Sequence, residues 1–565
     1  MKLKTTGWRL LLTVLPTLWL WGGAPLALQA ETAADNDAAV SCSQYMAPKR
    51  NVNGKMVGQE ECLMQDHGVV EPNRKYRRVD MGVTGTLSGY IVKEGTRMNY
   101  FTSAPDFTFT QFGNPHAPRF HGLLRYEAAK GTTVILYYPE TGWNGKVFIM
   151  VHGRGGSFLR GSMPSWDKNF NSERPFDATR YEQAMLARGY AVARSRRNAD
   201  GFVIGDYSAV LDDGTVWPDV NVNMVPELML DKVRLVDNLL KDRLGRKPTR
   251  NYWYGHSAGT YTALGFNYMT QFNPDLNKDA DGTQTISGIL ATDPGGGLFI
   301  PMLVKDGQDI LLRTPEQKSR FIKTITTAHQ AYPLTYSNIV PGEMDLNNIP
   351  EGVSPVALRN KRTMSRMFTE KGVENFRMYE VRGLSHSGGE GYPDGKSEDG
   401  VVQILNMPRL LDGLIDVLDN WVEKGVLPPA SKADVDIGRG NQMNAVSMPE
   451  VACPLGQYFA YPSLRGPDGT GSTGFAPYDG QSMEPLNGQL MIVDMNGNAR
   501  RDKRETVTEA WRRLGLLKPG ETFSRVKYVA CVQGAVATLR KENLISEKGA
   551  DLYVQEAKEK ELPTS

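Results

Sequence analysis

The stretch Tyr252-Trp253-Tyr254-Gly255-His256-Ser257-Ala258-Gly259-Thr260 (YWYGHSAGT) runs three aromatic residues into a serine bracketed by glycines. It reads as a short strand turning sharply into a helix, which lifts the serine hydroxyl out of the fold. Glycines at 255 and 259 relieve the steric conflict around a strained serine backbone. The helix N-terminus and the Ala258 N–H would then face any negative charge developing beside that hydroxyl. Glycine supplies 58 of 565 residues, so the five-letter spacing alone decides little. Its surroundings carry the weight.

Those surroundings alternate strand and helix patterns. Residues 133–138 and 147–151 read as strands, the second apolar throughout, as expected when both faces are covered. A helix is expected over 178–188, opened by Asp177 and closed by Gly189, before a strand at 190–194. A longer helix follows Pro226, with Met229, Val233, Val236 and Leu240 on one stripe. The strand 251–254 leads through Ser257 into a helix over 258–269, whose Ala258, Gly259, Ala263 and Gly265 permit close packing. Strands at 286–291 and 376–381 and helices at 355–371 and 410–424 complete the series. The fold class is α/β, with a mostly parallel sheet flanked by helices.

Three ordered features now stand together. His152-Gly153-Arg154-Gly155-Gly156 follows an apolar strand, Gly255-His256-Ser257-Ala258-Gly259 follows the short strand 251–254, and Gly383-Leu384-Ser385-His386 follows the last apolar strand. Over roughly residues 130–429 the chain thereby resembles the α/β-hydrolase superfamily. The resemblance implies a Ser–acid–His order, with Ser257 as nucleophile. Backbone N–H groups of Ala258 and of the Gly153, Arg154 and Gly155 loop would form the oxyanion hole. Arg154 departs from the pattern, standing where lipases and esterases often carry glycine.

Five of the seven histidines (67, 116, 121, 152 and 256) precede Ser257. That leaves His386, in a Gly/Ser loop past a strand end, as the expected base. His329, in the polar segment TITTAHQAY, reads as a solvated helical residue. The acid is expected at Asp345, with Asp293 and Glu343 as alternatives; Asp293-Pro294-Gly295 also suits an ordinary turn. The expected chemistry is hydrolysis of carboxylic esters. An amidase or peptidase would use the same residues, and a non-catalytic binding protein could share the scaffold. No redox cofactor is implied: no dinucleotide fingerprint follows a strand, and Gly295-Gly296-Gly297 lacks a phosphate-loop lysine.

The flanks differ in character. Lys2, Lys4 and Arg9 precede the apolar run 10–21, and Leu28-Gln29-Ala30 precedes an acidic stretch, as in a secretory leader (1–30) cleaved after Ala30. Removing its three positive charges from the net +2 leaves about −1, which favours neither nucleic-acid nor membrane partners. A periplasmic or extracellular protein without a membrane anchor is expected, with an ester substrate and no sign of oligomeric state. Cys42, Cys62, Cys453 and Cys531 favour two disulfides in an exported chain, and three pairings are open.

A β-rich N-terminal extension (31–125) is expected before the hydrolase domain (126–429), with a cap at 298–340. A linker (430–448) then leads to a small disulfide-bearing C-terminal module (449–565). Within that module Asp494, Asn496, Asn498, Arg500, Asp502 and Glu505 match the ligand spacing of a calcium-binding EF-hand loop over 494–505, although Ala499 replaces the expected glycine. Asn277, Asp279, Asp281 and Gly282 form a weaker echo.

Overall fold

The aromatic run 252–254 needs both faces of a sheet, and it has them. Tyr252 stacks on Phe148 (centroids 5.1 Å apart) and Tyr254 meets Tyr181 edge-on, while Trp253 points the opposite way onto Phe266 at 5.5 Å. All three are buried. This alternation follows from the two-residue period of a strand.

The computed structural model describes residues 39–52, 55–70, 75–88, 123–126, 133–152, 178, 180–196, 209–210, 216–217, 226–256, 259–271, 274–294, 304–305, 308–309, 312–329, 356–382, 384, 407–433, 444–459, 482–485 and 506–563. Residues from Ala39 onward belong to one unit. Its strands are β1 (Val40–Ser41), β2 (Arg50–Val52), β3 (Lys55–Val70), β4 (Tyr76–Ser88), β5 (Leu123–Tyr126), β6 (Thr133–Pro139), β7 (Lys146–His152) and β8 (Ala191–Arg196). The pair β9 (Ala209–Val210) and β10 (Val216–Trp217) precedes β11 (Arg250–His256) and β12 (Gly288–Thr292). The pair β13 (Val304–Lys305) and β14 (Gln308–Asp309) precedes β15 (Thr324–His329) and β16 (Phe376–Val381), and β17 (Gly456–Phe459) pairs with β18 (Ser482–Pro485). The helices are α1 (Arg180–Leu186), α2 (Pro226–Leu244), α3 (Gly259–Met269), α4 (Pro315–Arg320), α5 (Val356–Glu370), α6 (Met407–Lys424), α7 (Pro449–Ala452), α8 (Val507–Arg513), α9 (Arg525–Lys541) and α10 (Glu547–Glu559).

The main sheet runs β1-β3-β4-β6-β8-β7-β11-β12-β15-β16, with β2 on β3 and β5 on β4. From β8 to β16 every neighbour is parallel; β3, β4, β6 and β8 pair antiparallel. Leu230, Val233, Ala263, Phe266, Met364 and Phe368 place α2, α3 and α5 in one core. Tyr181, Met185, Leu411, Leu414, Trp421 and Tyr553 place α1, α6 and α10 in the other. After β7 the chain passes through α1 to β8 on one side. It then returns through α2, on the opposite face, to β11 on the other side of β7. The connections part between β7 and β11, and it is outside the carboxyl ends of strands at such a switch point that open α/β sheets bind ligands.

The flanks join this sheet and its cores. The disulfides are Cys42–Cys62, within the N-terminal strands, and Cys453–Cys531, which ties the end of α7 to α9. Lys432 and Val446, in the segment expected to be a linker, bond along the outer edge of β16 and so occupy its free backbone groups. At Gly413, α6 lies so close to the backbone of Leu544 that a Cβ there would stand 2.5 Å from its carbonyl.

Two expectations need correction. A cap over 298–340 would include Thr324–His329, but these residues are β15, a wholly buried strand between β12 and β16. His329 is accordingly no solvated helical residue; it closes β15 with no exposed surface. The reason is chemical: Thr324, Thr326 and Thr327 look polar in sequence, yet their branched side chains suit a strand, and the Thr324 and Thr327 hydroxyls find partners at the Ile322 carbonyl and the His329 ring.

Candidate active site at the carboxyl edge of the sheet

β11 ends at His256 and α3 begins at Gly259, so two residues, Ser257 and Ala258, separate strand from helix. The turn is tight on its flanks. A Cβ at Gly255 would stand 3.0 Å from the carbonyl oxygen of Gly259 and from the Cα and N of Thr260. Only a residue without a side chain lets the strand and the following helix approach this closely.

Beside the turn, the ends of β11, β12 and β15 carry a buried polar network. His256 pairs in register with Thr292, and Thr292 with Thr327. The Thr292 hydroxyl lies 3.0 Å from His256 Nδ1, 2.9 Å from the Tyr254 hydroxyl and 3.3 Å from the Gly255 carbonyl oxygen. Asp293, one residue past the strand, is fully buried and holds φ +40°. That left-handed value is uncommon for a residue with a side chain, and such backbones persist where their surroundings over-determine them.

Those surroundings are visible. The Asp293 N–H donates to the Thr327 carbonyl at 3.1 Å, and its Oδ1 accepts the His329 N–H at 2.8 Å and the Lys361 ammonium. His329 Nδ1 lies 3.7 Å from Asp293 Oδ2, and its Nε2 is 3.0 Å from the Thr327 hydroxyl. The rings of His256 and His329 are 6.4 Å apart. Lys361 is buried on α5; burial pulls its ammonium below the usual lysine value, against the attraction of Asp293 and Glu380. Its neighbour Arg362 pairs with Glu380 on β16, Nε to Oε2 at 2.9 Å. Thus α5 delivers two adjacent buried cations to two strands, each matched by a carboxylate, as buried charges require.

Of the residues expected from sequence to act, Asp293 is described. Ser257, Ala258, Gly153, Arg154, Gly155, His386, Asp345 and Glu343 lie outside the described residues. Their described neighbours are His152 at the end of β7, His256 and Gly259 around the turn, and buried Leu384 two residues before His386. Thr292 and Lys361 are not singled out by sequence, and His329 is read there only as a solvated helical residue. The threonine-rich strand pattern and the Lys-Arg pair inside an amphipathic helix were the available signals.

The calcium-like loop 494–505 also lies outside the described residues. Among the described residues no group of three or more His, Cys, Asp or Glu could hold a metal. The echo at 277–282 is a turn: Asn277 exchanges hydrogen bonds with Ile286, Asp279 accepts from Arg234 and Thr285, and Asp281 accepts from Thr283. Each of these side chains already accepts hydrogen bonds from the chain itself. Among the described residues no helix is long and apolar enough to cross a membrane.

No protein-family model and no curated protein sequence matches the chain. Among solved structures, carboxyl esterase 2 of the mycorrhizal fungus Tuber melanosporum is similar at 14% identity, over 50% of this chain and 80% of that one, with a TM-score of 0.24. The poly(3-hydroxybutyrate) depolymerase LpqC of Bordetella parapertussis is similar at 14% identity, over 53% and 87%, with a TM-score of 0.25. A fungal esterase from Rhizomucor miehei is similar at 11% identity, over 55% and 83%, with a TM-score of 0.28. Superpositions this loose assign nothing by themselves. The mixed, mostly parallel sheet with helices on both faces is consistent with an α/β-hydrolase architecture.

Proposed function

We propose that the protein is an exported serine hydrolase of carboxylic esters. The reading rests on one observation above all: a strand, two residues and a helix, packed tightly at Gly255, stand at the point where the sheet's connections part. Ser257 Oγ attacks the ester carbonyl while His386 takes its proton. Backbone N–H groups of Ala258 and of Gly153, Arg154 and Gly155 hold the oxyanion. His386 returns the proton to the departing alkoxide, takes another from water as that water attacks the acyl-enzyme, and passes it to Ser257 Oγ as the acid leaves. One ester and one water give an acid and an alcohol.

Asp345 suits the chain order as the group that orients His386, with Glu343 beside it. A specific observation favours Asp293 instead. It is buried, its carboxylate is paired with Lys361, and it lies one residue past Thr292, which pairs with His256. Asp293 thus follows its strand end by one residue, as Ser257 follows His256 in the sequence. The two disulfides suit an oxidising compartment, periplasmic or extracellular. A structural calcium at 494–505 remains part of this reading, tested by a shift in melting temperature on adding calcium after chelation.

The deciding measurement is turnover of p-nitrophenyl esters from acetate to palmitate by the mature protein and by Ser257→Ala. The expected result is a fall of at least about 10⁴-fold in kcat in the variant. Folded wild type without turnover on any ester, but active on anilides, would make it an amidase. Failure to react with a serine-directed phosphonate as well would make it a binding protein.

A further inference from the structure

A threonine hydroxyl carries one proton and can accept two hydrogen bonds. Thr292 has three partners: the Gly255 carbonyl, the Tyr254 hydroxyl and His256 Nδ1. A carbonyl can only accept. One assignment makes all three bonds: Thr292 donates to Gly255, accepts from the Tyr254 O–H, and accepts from a protonated Nδ1 of His256. That assignment fixes the His256 tautomer, with the proton on Nδ1.

These partners are three consecutive residues, and the next one is Ser257. All four groups are buried, Tyr254 and His256 at 1% exposure and Thr292 at 0%. In this low-dielectric setting a made hydrogen bond is strong and a missing one costly. The sheet ladder already fixes β11 through backbone bonds as far as His256. Thr292 adds a side-chain tie from the neighbouring strand to the last turn of β11, where the chain must leave extended geometry. Gly255 cannot supply such a tie, having no side chain, and the close approach of Gly259 and Thr260 forbids one there.

We propose that Thr292 is a positioning residue for the nucleophile: its hydroxyl ties Tyr254, Gly255 and His256 together and so sets the backbone from which Ser257 projects. This rests on the serine-hydrolase reading above. Thr292 touches no substrate; it acts through the turn. Its loss displaces the nucleophile without altering the substrate pocket, so kcat falls and KM holds.

The test compares wild type, Ser257→Ala, Thr292→Val, Thr292→Ser and Tyr254→Phe. It reads ester kinetics, the rate of labelling by a fluorophosphonate, and circular dichroism. The expected pattern is a loss of about 10- to 100-fold in kcat and labelling for Thr292→Val with KM within about twofold, the scale of a misplaced reacting group. Thr292→Ser recovers to within about threefold of wild type, and Tyr254→Phe loses about 3- to 10-fold. A folded Thr292→Val that labels at the wild-type rate overturns the proposal and leaves the hydrolase reading standing. If Thr292→Val does not fold, Tyr254→Phe decides: wild-type labelling there overturns it equally. Wild type that labels no faster than Ser257→Ala sinks the hydrolase reading and this proposal with it.

Discussion

Two buried clusters in this molecule share a composition and differ in setting. On β3 and β4, Asp80 accepts Arg78 through Nε and Nη2, both at 2.9 Å, and lies 3.1 Å from His67 Nε2. At the carboxyl edge, Asp293 accepts Lys361 and the His329 backbone N–H, with the His329 ring nearby. Arg78 and Asp80, two residues apart, share one face in the middle of β4, opposite a bulge at His67 on β3, and Arg78 lies over the Tyr137 ring at 5.8 Å. Burial alone would push the Asp80 carboxyl up; the His67 bond and the Arg78 charge hold it below the usual carboxylate range. Asp293 instead sits past a strand end at φ +40°, gripped by groups from β15 and α5. A histidine, an aspartate and a cation therefore make no site by themselves. Position past the carboxyl end of a parallel strand, near the point where the sheet's connections part, marks the candidate.

The sharpest separation of the two is Asp293→Asn against Asp80→Asn. If Asp293 orients the base, kcat falls by about 10³- to 10⁴-fold in the first, while the second keeps kcat within about twofold and loses melting temperature. Equal kcat in both variants would erase the distinction and return the acid to Asp345. Next in size is Lys361→Met, which leaves a buried carboxylate without its cation and costs about 3–5 kcal/mol in a denaturant titration. An unchanged midpoint there would show that the rim charges are solvated.

A third buried carboxyl sharpens what the cation does. Asp237 on α2 accepts the Asn251 amide at 2.9 Å, and burial pushes it up from 3.8 to about 7. Its folded state binds the proton more tightly than the unfolded chain, so stability declines as pH rises from about 4 to about 7 and is flat above. Asp237→Asn is expected to gain up to about 4 kcal/mol at pH 8, the advantage growing across that window. Asp80 has the opposite sign. Its contribution is present above the unfolded carboxylate value and lost as pH falls through its lowered one. The smallest effect is Gly255→Ala, about 1–3 kcal/mol from forced displacement of the Gly259–Thr260 backbone. A melting curve identical to wild type would show that the turn gives way freely.

Much of the sheet was legible because its parallel strands are covered on both faces and so read as apolar runs. The close approach of β11 and α3 was legible because Gly255 answers a steric demand that the spacing records. The rim was not. His329 is polar by letter and buried by position, and a histidine accepted through hydrogen bonds leaves no hydrophobic trace. Lys361 and Arg362 look like a solvated helix face until the sheet places Asp293 and Glu380 opposite them. Charge complementarity across two elements has no signature within either one.

The contact of Gly413 with the Leu544 backbone has a consequence in time. The side of α6 turned away from the sheet is covered by residues 544–557, made about 130 residues after α6 itself. At ribosomal rates of about 5–20 residues per second, that side stays open for roughly 7 to 26 s. Through that interval one side of α6 lacks its cover while the other already has the sheet and α1 to pack on, and a chaperone has its opportunity there.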